Sequence, residues 1–242
     1  MTTEQEVEIM TTEQEVEIKL LTEQVEIITT EQVEIMTTEQ VEIKLPTAEN
    51  VFTEIYDKHV WGNGSGHGSS FSYNIKYITM LSKLFKELNI KSITDIGCGY
   101  WEFSQYVNFD GINYLGLDVV KSVIDRNNVN FKRENINFKL LNVIESSHDI
   151  EMCDLIIIKD VLQHFPNQTV VDVINNVKDK CKYLLVVNCS FQSNENDIVI
   201  GSWRPLSYQM YPLNTFKFKL IGHYNTKDIC LLESTGQSGT DL

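Results

Sequence analysis

From residue 75 onward the chain switches between two hydrophobic periods. Ile75, Ile78, Leu81, Leu84, Phe85 and Leu88 recur at helical spacing. Short apolar runs follow: SITDI (92–96), INYLGLD (112–118), INFKLL (136–141), CDLIIIKD (153–160) and YLLVVNC (183–189). These read as strands, and the stretches near 101–107, 120–128 and 167–179 between them predict helices. Runs such as LIII and LLVV are apolar at every position, which suits strands covered on both faces. Alternation of this kind predicts an α/β fold with a doubly wound, mostly parallel sheet. After Ser190 it stops, and FKFKLIGHY (216–224) and DICLLES (228–234) predict a closing pair of strands, which makes seven.

Upstream, VFTEIYDKH (51–59) predicts a short N-terminal helix and WGNGSGHGSS (61–70) a Gly/Ser-rich loop. Pro46 marks a boundary. Residues 1–45 are a tandem repeat built from MTTEQEVEI and TEQVEI, with isoleucines at 9, 18, 27, 35 and 43. Spacings of nine and eight do not sustain a heptad. Units this short, without aromatics, cannot bury a core, so a low-complexity tail with little or no stable structure is expected. It serves either as an interaction tail or as a neutral repeat expansion. The folded domain is expected over residues 46–242.

Charge sharpens this division. Residues 1–45 hold twelve Glu and two Lys, a net −10, and the remainder carries 22 acids against 18 bases, a net −4. No basic stripe of the kind that phosphate backbones require is present, which argues against a nucleic-acid partner. The five cysteines form no CxxC pair and have no histidines at zinc spacing, so reduced thiols and no metal site are expected. With neither a signal-peptide pattern nor an apolar run of spanning length, a cytoplasmic protein without membrane attachment is expected.

The sharpest motif is TDIGCGYWEF (94–103), placed after the first strand and before an expected helix. Gly97 and Gly99 allow a tight turn and a close backbone approach to a ligand. Twenty-one residues beyond Gly97, the second strand ends in Asp118, where a carboxylate can accept ribose hydroxyls; capping the next helix is its other reading. Dinucleotide enzymes want a third glycine where this chain has Glu102, and a carboxylate there would repel pyrophosphate. S-adenosylmethionine (SAM) carries no phosphate and bears a positive sulfonium, which suits an acidic site. Asp95 adds to that field or only hydrogen-bonds within the loop.

These features resemble class I SAM-dependent methyltransferases over roughly residues 70–235. The resemblance implies a seven-stranded Rossmann-like sheet and SAM as cofactor. Trp101 departs from it, standing where the usual motif has its third glycine. It implies adenine contacts from Asn142 and Val143, after the third strand, although Asn142 is equally well read as a turn residue. It also places Lys159 and Asp160, after the fourth strand, beside the methionine portion. The D-V-L-x-H pattern is common among small-molecule methyltransferases and unlike the N/D-P-P-Y of enzymes acting on adenine or glutamine amides.

A hydroxyl acceptor needs its proton removed during attack. His164 is the first candidate base and Asp160 the second; a histidine that packs locally at a helix start is the plainer reading. Trp61 and His67 in the Gly/Ser loop, and Trp203, Arg204 and Tyr208 in SWRPLSYQMYPL (202–213), are candidates for binding the acceptor. Aromatic faces and an Arg suit sugar rings with anionic substituents. The latter stretch resembles small methyltransferases of bacterial and large-virus polysaccharide pathways. Its alternative is an Arg204 ion pair with the aromatics as packing. The expected activity is O-methylation of a sugar hydroxyl on a glycan or nucleotide sugar. The alternatives are another small metabolite, a protein side chain, or an inactive SAM-fold binding subunit.

Overall fold

The computed structural model describes residues 46–191 and 196–234. The expectation for the repeat at residues 1–45 lies outside them. The seven strands are β1 (Ser92–Ile96), β2 (Asn113–Asp118), β3 (Ile136–Leu140), β4 (Cys153–Lys159), β5 (Cys181–Cys189), β6 (Lys219–Tyr224) and β7 (Lys227–Glu233). They form one sheet in the order β3-β2-β1-β4-β5-β7-β6. Strands β1 to β5 pair in parallel, whereas β7 runs antiparallel to both β5 and β6. Chain order reverses between β1 and β4, which opens a crevice at the carboxyl edge of the sheet.

The fully apolar runs are explained by burial on both faces. In β4, Ile156 and Ile158 point into the first of two cores and Leu155 and Ile157 into the second, and all four are buried. The first core takes α1 (Ala48–Asp57) through Ala48, Phe52 and Tyr56, which recur every fourth residue. It also takes α5 (Asn167–Val177) through Val170, Val173, Ile174 and Val177. The second core is covered by α2 (Phe71–Glu87) through Tyr77, Leu81, Leu84 and Phe85. Ile75, expected on that buried face, is 51% exposed; Tyr77 takes the inward position. Helix α3 (Lys121–Asn130) serves both cores through Val123 and Ile124, and α4 (Val143–Ser146) is a single turn after β3.

One expected helix is not formed. Between β1 and β2 the chain makes only a short 3-10 turn at Ser104–Tyr106 where residues 101–107 predicted a helix. Trp101 sits at φ 57°, a left-handed conformation from which an α-helix cannot start. Its ring, 2% exposed, packs among Phe109, Tyr114, Phe131 and Phe138 at centroid distances of 5.1–5.9 Å. With the indole buried in this cluster, the loop closes by aromatic packing. No helix among the described residues is long and apolar enough to cross a membrane.

Candidate active site

A cavity of about 330 Å³ lies along the carboxyl edge of the sheet, walled from Asn142 after β3 to Lys227 at the start of β7. One end of it is built by the turn after β1. Gly97 and Gly99 adopt φ of 73° and 54°. A Cβ on Gly97 would stand 2.3 Å from Val161 Cγ2, and one on Gly99 2.4 Å from Ser65 Oγ. The turn is fixed by the Gly97 and Cys98 N–H groups, which both donate to the Leu117 carbonyl at 2.8 and 2.9 Å.

Asp118 closes β2 on the cavity wall, and its carboxylate does two things. Oδ2 accepts the Gly99 N–H and Oδ1 the Val120 N–H, each at 3.0 Å. Helix capping and ligand placement are therefore not exclusive, because each oxygen keeps a lone pair for a ribose hydroxyl. Burial lifts this carboxyl to about 6, against the lowering effect of those amides. Asp95 is absent from the cavity wall. It lies behind the turn, accepts the Tyr114 hydroxyl at 2.7 Å and is likewise raised to about 6, chiefly by burial. Asn142 and Val143 line the cavity. Asn142 also caps α4, its Oδ1 accepting the Ile144 N–H at 3.1 Å.

The end of β4 supplies the charged wall. Asp160, at φ 61°, lies between two ammonium groups. Lys159 Nζ donates to its Oδ2 at 2.5 Å, and Lys227 Nζ donates to its Oδ1. Burial alone would raise the Asp160 carboxyl, but the two lysines more than reverse it and hold it ionised below the usual range. A carboxylate so paired is a poor proton acceptor. Lys159 also donates to the Gly68 carbonyl at 2.9 Å, which ties the Gly/Ser loop over the site. Ser65 anchors the same loop to the β1 turn, with its hydroxyl 2.8 Å from Tyr56 Oη and accepting the Tyr100 N–H at 2.7 Å.

His164 lines the cavity from the 3-10 turn Leu162–His164. Its Nδ1 lies 2.9 Å from the Ser202 carbonyl, which can only accept, so Nδ1 carries the proton and Nε2 the free lone pair. Burial pushes the imidazole below 6.5, opposed by the Ser202 bond and the Asp160 charge, so the ring is neutral at pH 7. Trp61 packs against it with ring centroids 5.0 Å apart.

Trp61, His67 and Trp203 are all on the cavity wall. Arg204 and Tyr208 are not brought there. Arg204 is buried at 5% exposure, and donates to the Phe165 carbonyl, Asn167 Oδ1 and Asp197 Oδ1 at 3.1, 2.8 and 3.1 Å. This ties the 202–213 segment to the start of α5. Tyr208 packs against the first core. Sequence reasoning missed Ser65, Tyr73, Gln163, Cys189 and Lys227, which all line the cavity. Lys227 was findable, because the final antiparallel strand of such a sheet begins at the ligand edge. Among the described residues no group of three or more His, Cys, Asp or Glu can hold a metal ion.

Comparison with known proteins agrees with this architecture. Residues 94–182 match the family described as Methyltransferase domain. No curated protein sequence matches the chain. Among solved structures, the magnesium protoporphyrin IX methyltransferase of Synechocystis PCC 6803 with bound SAH, the demethylated form of SAM, aligns with a TM-score of 0.53. It is 12% identical, over 75% of this chain and 97% of that one. The N-methyltransferase NodS of Bradyrhizobium japonicum WM9, also with S-adenosyl-L-homocysteine, aligns with a TM-score of 0.57 at 12% identity, over 76% and 98% of the two chains. Human N-acetylserotonin methyltransferase with SAM gives 0.54 at 15% identity, over 78% and 60%. The cavity, the glycine turn and the carboxylate at the end of β2 fit SAM, and the matched methyltransferase domain lies on these same strands, within a sheet of the class I methyltransferase fold.

Proposed function

We propose that the chain is an O-methyltransferase acting on a hydroxyl of a sugar or similar polyhydroxylated small molecule, with His164 as general base. The supporting observation is the His164–Ser202 hydrogen bond, which fixes the tautomer with Nε2 unprotonated in a ring that burial keeps neutral. SAM supplies an electrophilic methyl group on its sulfonium sulfur. The acceptor oxygen forms its bond to that carbon as the carbon–sulfur bond breaks, and the hydroxyl proton passes to Nε2. Gly97, Gly99 and Asp118 hold the donor, and Trp61 and Trp203 offer aromatic faces for the acceptor ring. Asp160 was the other candidate base, and its two ion pairs suit it to positioning the lysines instead.

The test is methyl transfer from labelled SAM to a panel of sugars and uronic acids, by wild type and His164→Ala. The variant is expected to bind SAM normally and to lose roughly 10²–10⁴ in rate. A rate within about threefold of wild type, far short of that range, would remove His164 as the base. Transfer to amines or thiols alone would overturn the hydroxyl assignment.

A further inference from the structure

The cavity walls carry four charged side chains: Asp118, Lys159, Asp160 and Lys227. They sum to zero, but they are not evenly spread. At the β4–β5–β7 end one carboxylate faces two ammoniums. The side chains of Lys159 and Lys227 are only 5% and 3% exposed; Asp95, behind the wall, is within electrostatic reach of Lys159, but on the wall itself the two ammoniums share the single carboxylate of Asp160. Donor binding does not offset this. The methionine head of SAM is a zwitterion, and its sulfonium adds one further positive charge to the cavity. Buried ammoniums on such a wall are stabilised by a compensating anion.

Lys227 is the group placed to take it. It enters from β7, three strands from β1 in the sheet order, and so from the side opposite the β2 carboxylate that receives ribose. Its Nζ stands 3.5 Å from Cys189 Sγ, at the end of β5, and lies over the Tyr73 ring at 5.7 Å. Arg204, the cation that the sequence suggested for this purpose, lies off the cavity wall with both terminal nitrogens bonded elsewhere. We propose that Lys227, backed by Lys159, forms an oxyanion subsite for a carboxylate or phosphate carried by the methyl acceptor, as in a uronic acid or a sugar phosphate. The proposal rests on the methyltransferase reading above and narrows its acceptor to an anionic one.

The experiment uses the full chain, loaded with SAH, and calorimetric titration of inorganic phosphate, glucuronate and glucose. Phosphate and glucuronate are expected to bind the loaded wild type without displacing SAH, and glucose to bind far more weakly than glucuronate. Lys227→Met should weaken the anions about tenfold or more, the effect of losing a charge-assisted bond, while SAH affinity stays within about threefold. Lys227→Arg should restore anion binding. A preference for glucuronate assigns the subsite to a carboxylate, and a preference for phosphate to a phosphoryl group. Anions that compete with SAH, or a Lys227→Met protein whose SAH affinity falls as far as its anion affinity, would assign the lysine to the donor's own carboxylate and overturn the proposal. So would the absence of anion binding to loaded wild type, a result that needs no variant. Failure of SAH itself to bind wild type would instead overturn the methyltransferase reading beneath it.

Discussion

Asp118 Oδ2 accepts the Gly99 N–H at 3.0 Å, so a carboxylate on the cavity wall also holds the glycine turn in shape. Asp118→Ala is therefore expected to do two kinds of damage. SAM affinity should fall by about 1–3 kcal/mol through unpaired ribose hydroxyls, and stability by a similar amount as the Gly99 and Val120 amides lose their acceptor. Calorimetry and chemical denaturation on the same variant measure both. Unchanged SAM affinity in a destabilised protein would leave Asp118 with only the capping role.

As the proposed general base, His164 would set the pH dependence of the rate. Its pKa is pushed below 6.5, chiefly by burial, and its neutral form is the competent one. The methylation rate should rise as pH increases through a value below the ordinary ~6.5 and then stay level across neutrality. A rise centred above 6.5 in the wild type would contradict a desolvated imidazole base.

Asp95 predicts a stability effect of opposite sign to that of ordinary acids. Its carboxyl is held near 6 in the fold, above its ordinary value of 3.8, so its contribution is fully present below about 4 and is lost as pH rises through about 6. Asp95→Asn imitates the protonated form and still accepts from Tyr114. Its stability relative to wild type should improve by up to roughly 3 kcal/mol between pH 4 and pH 7.5. Denaturant midpoints at the two pH values read this directly. A constant difference would show that the carboxyl titrates normally.

The sheet was legible in the sequence, because both-face burial writes unbroken apolar runs such as Leu155–Ile158 and an antiparallel closing pair leaves its own alternation. The turn after β1 and the carboxylate that ends β2 were legible for the same local reason: Gly97, Gly99 and Asp118 sit at spacings that strand geometry imposes. The missing helix at 101–107 was not legible. Trp101, Ser104 and Val107 are spaced three residues apart and all buried, like a helix face, yet a left-handed Trp101 sends the chain elsewhere. Arg204 was misleading in the same way, since its partners Asn167 and Asp197 are brought to it only by the tertiary fold.

Gly97 is expected to tolerate no side chain. At φ 73° an alanine costs about 1–2 kcal/mol in backbone strain, before its Cβ meets the Val161 methyl 2.3 Å away. Gly97→Ala should exceed that figure, and Val161→Ala in the same background should recover only the steric part. A double-mutant cycle in denaturant separates the two. Complete rescue by Val161→Ala would mean that the left-handed turn is not required.

The antiparallel course of β7 has an effect on how this enzyme can change. Four of the five parallel strands present their last residue to the cavity, Ile96, Asp118, Lys159 and Cys189, so altering what they offer disturbs a loop that leads into the next strand. Strand β7 presents its first residue, Lys227, just after the turn Asn225–Thr226 that joins it to β6. A hairpin tip can be lengthened, shortened or rewritten without moving the register of β1 to β5. The proposed donor end is therefore built into the frame of the molecule, whereas the proposed anion subsite hangs from a replaceable tip, and grafting new 224–227 sequences is the direct way to alter that wall alone.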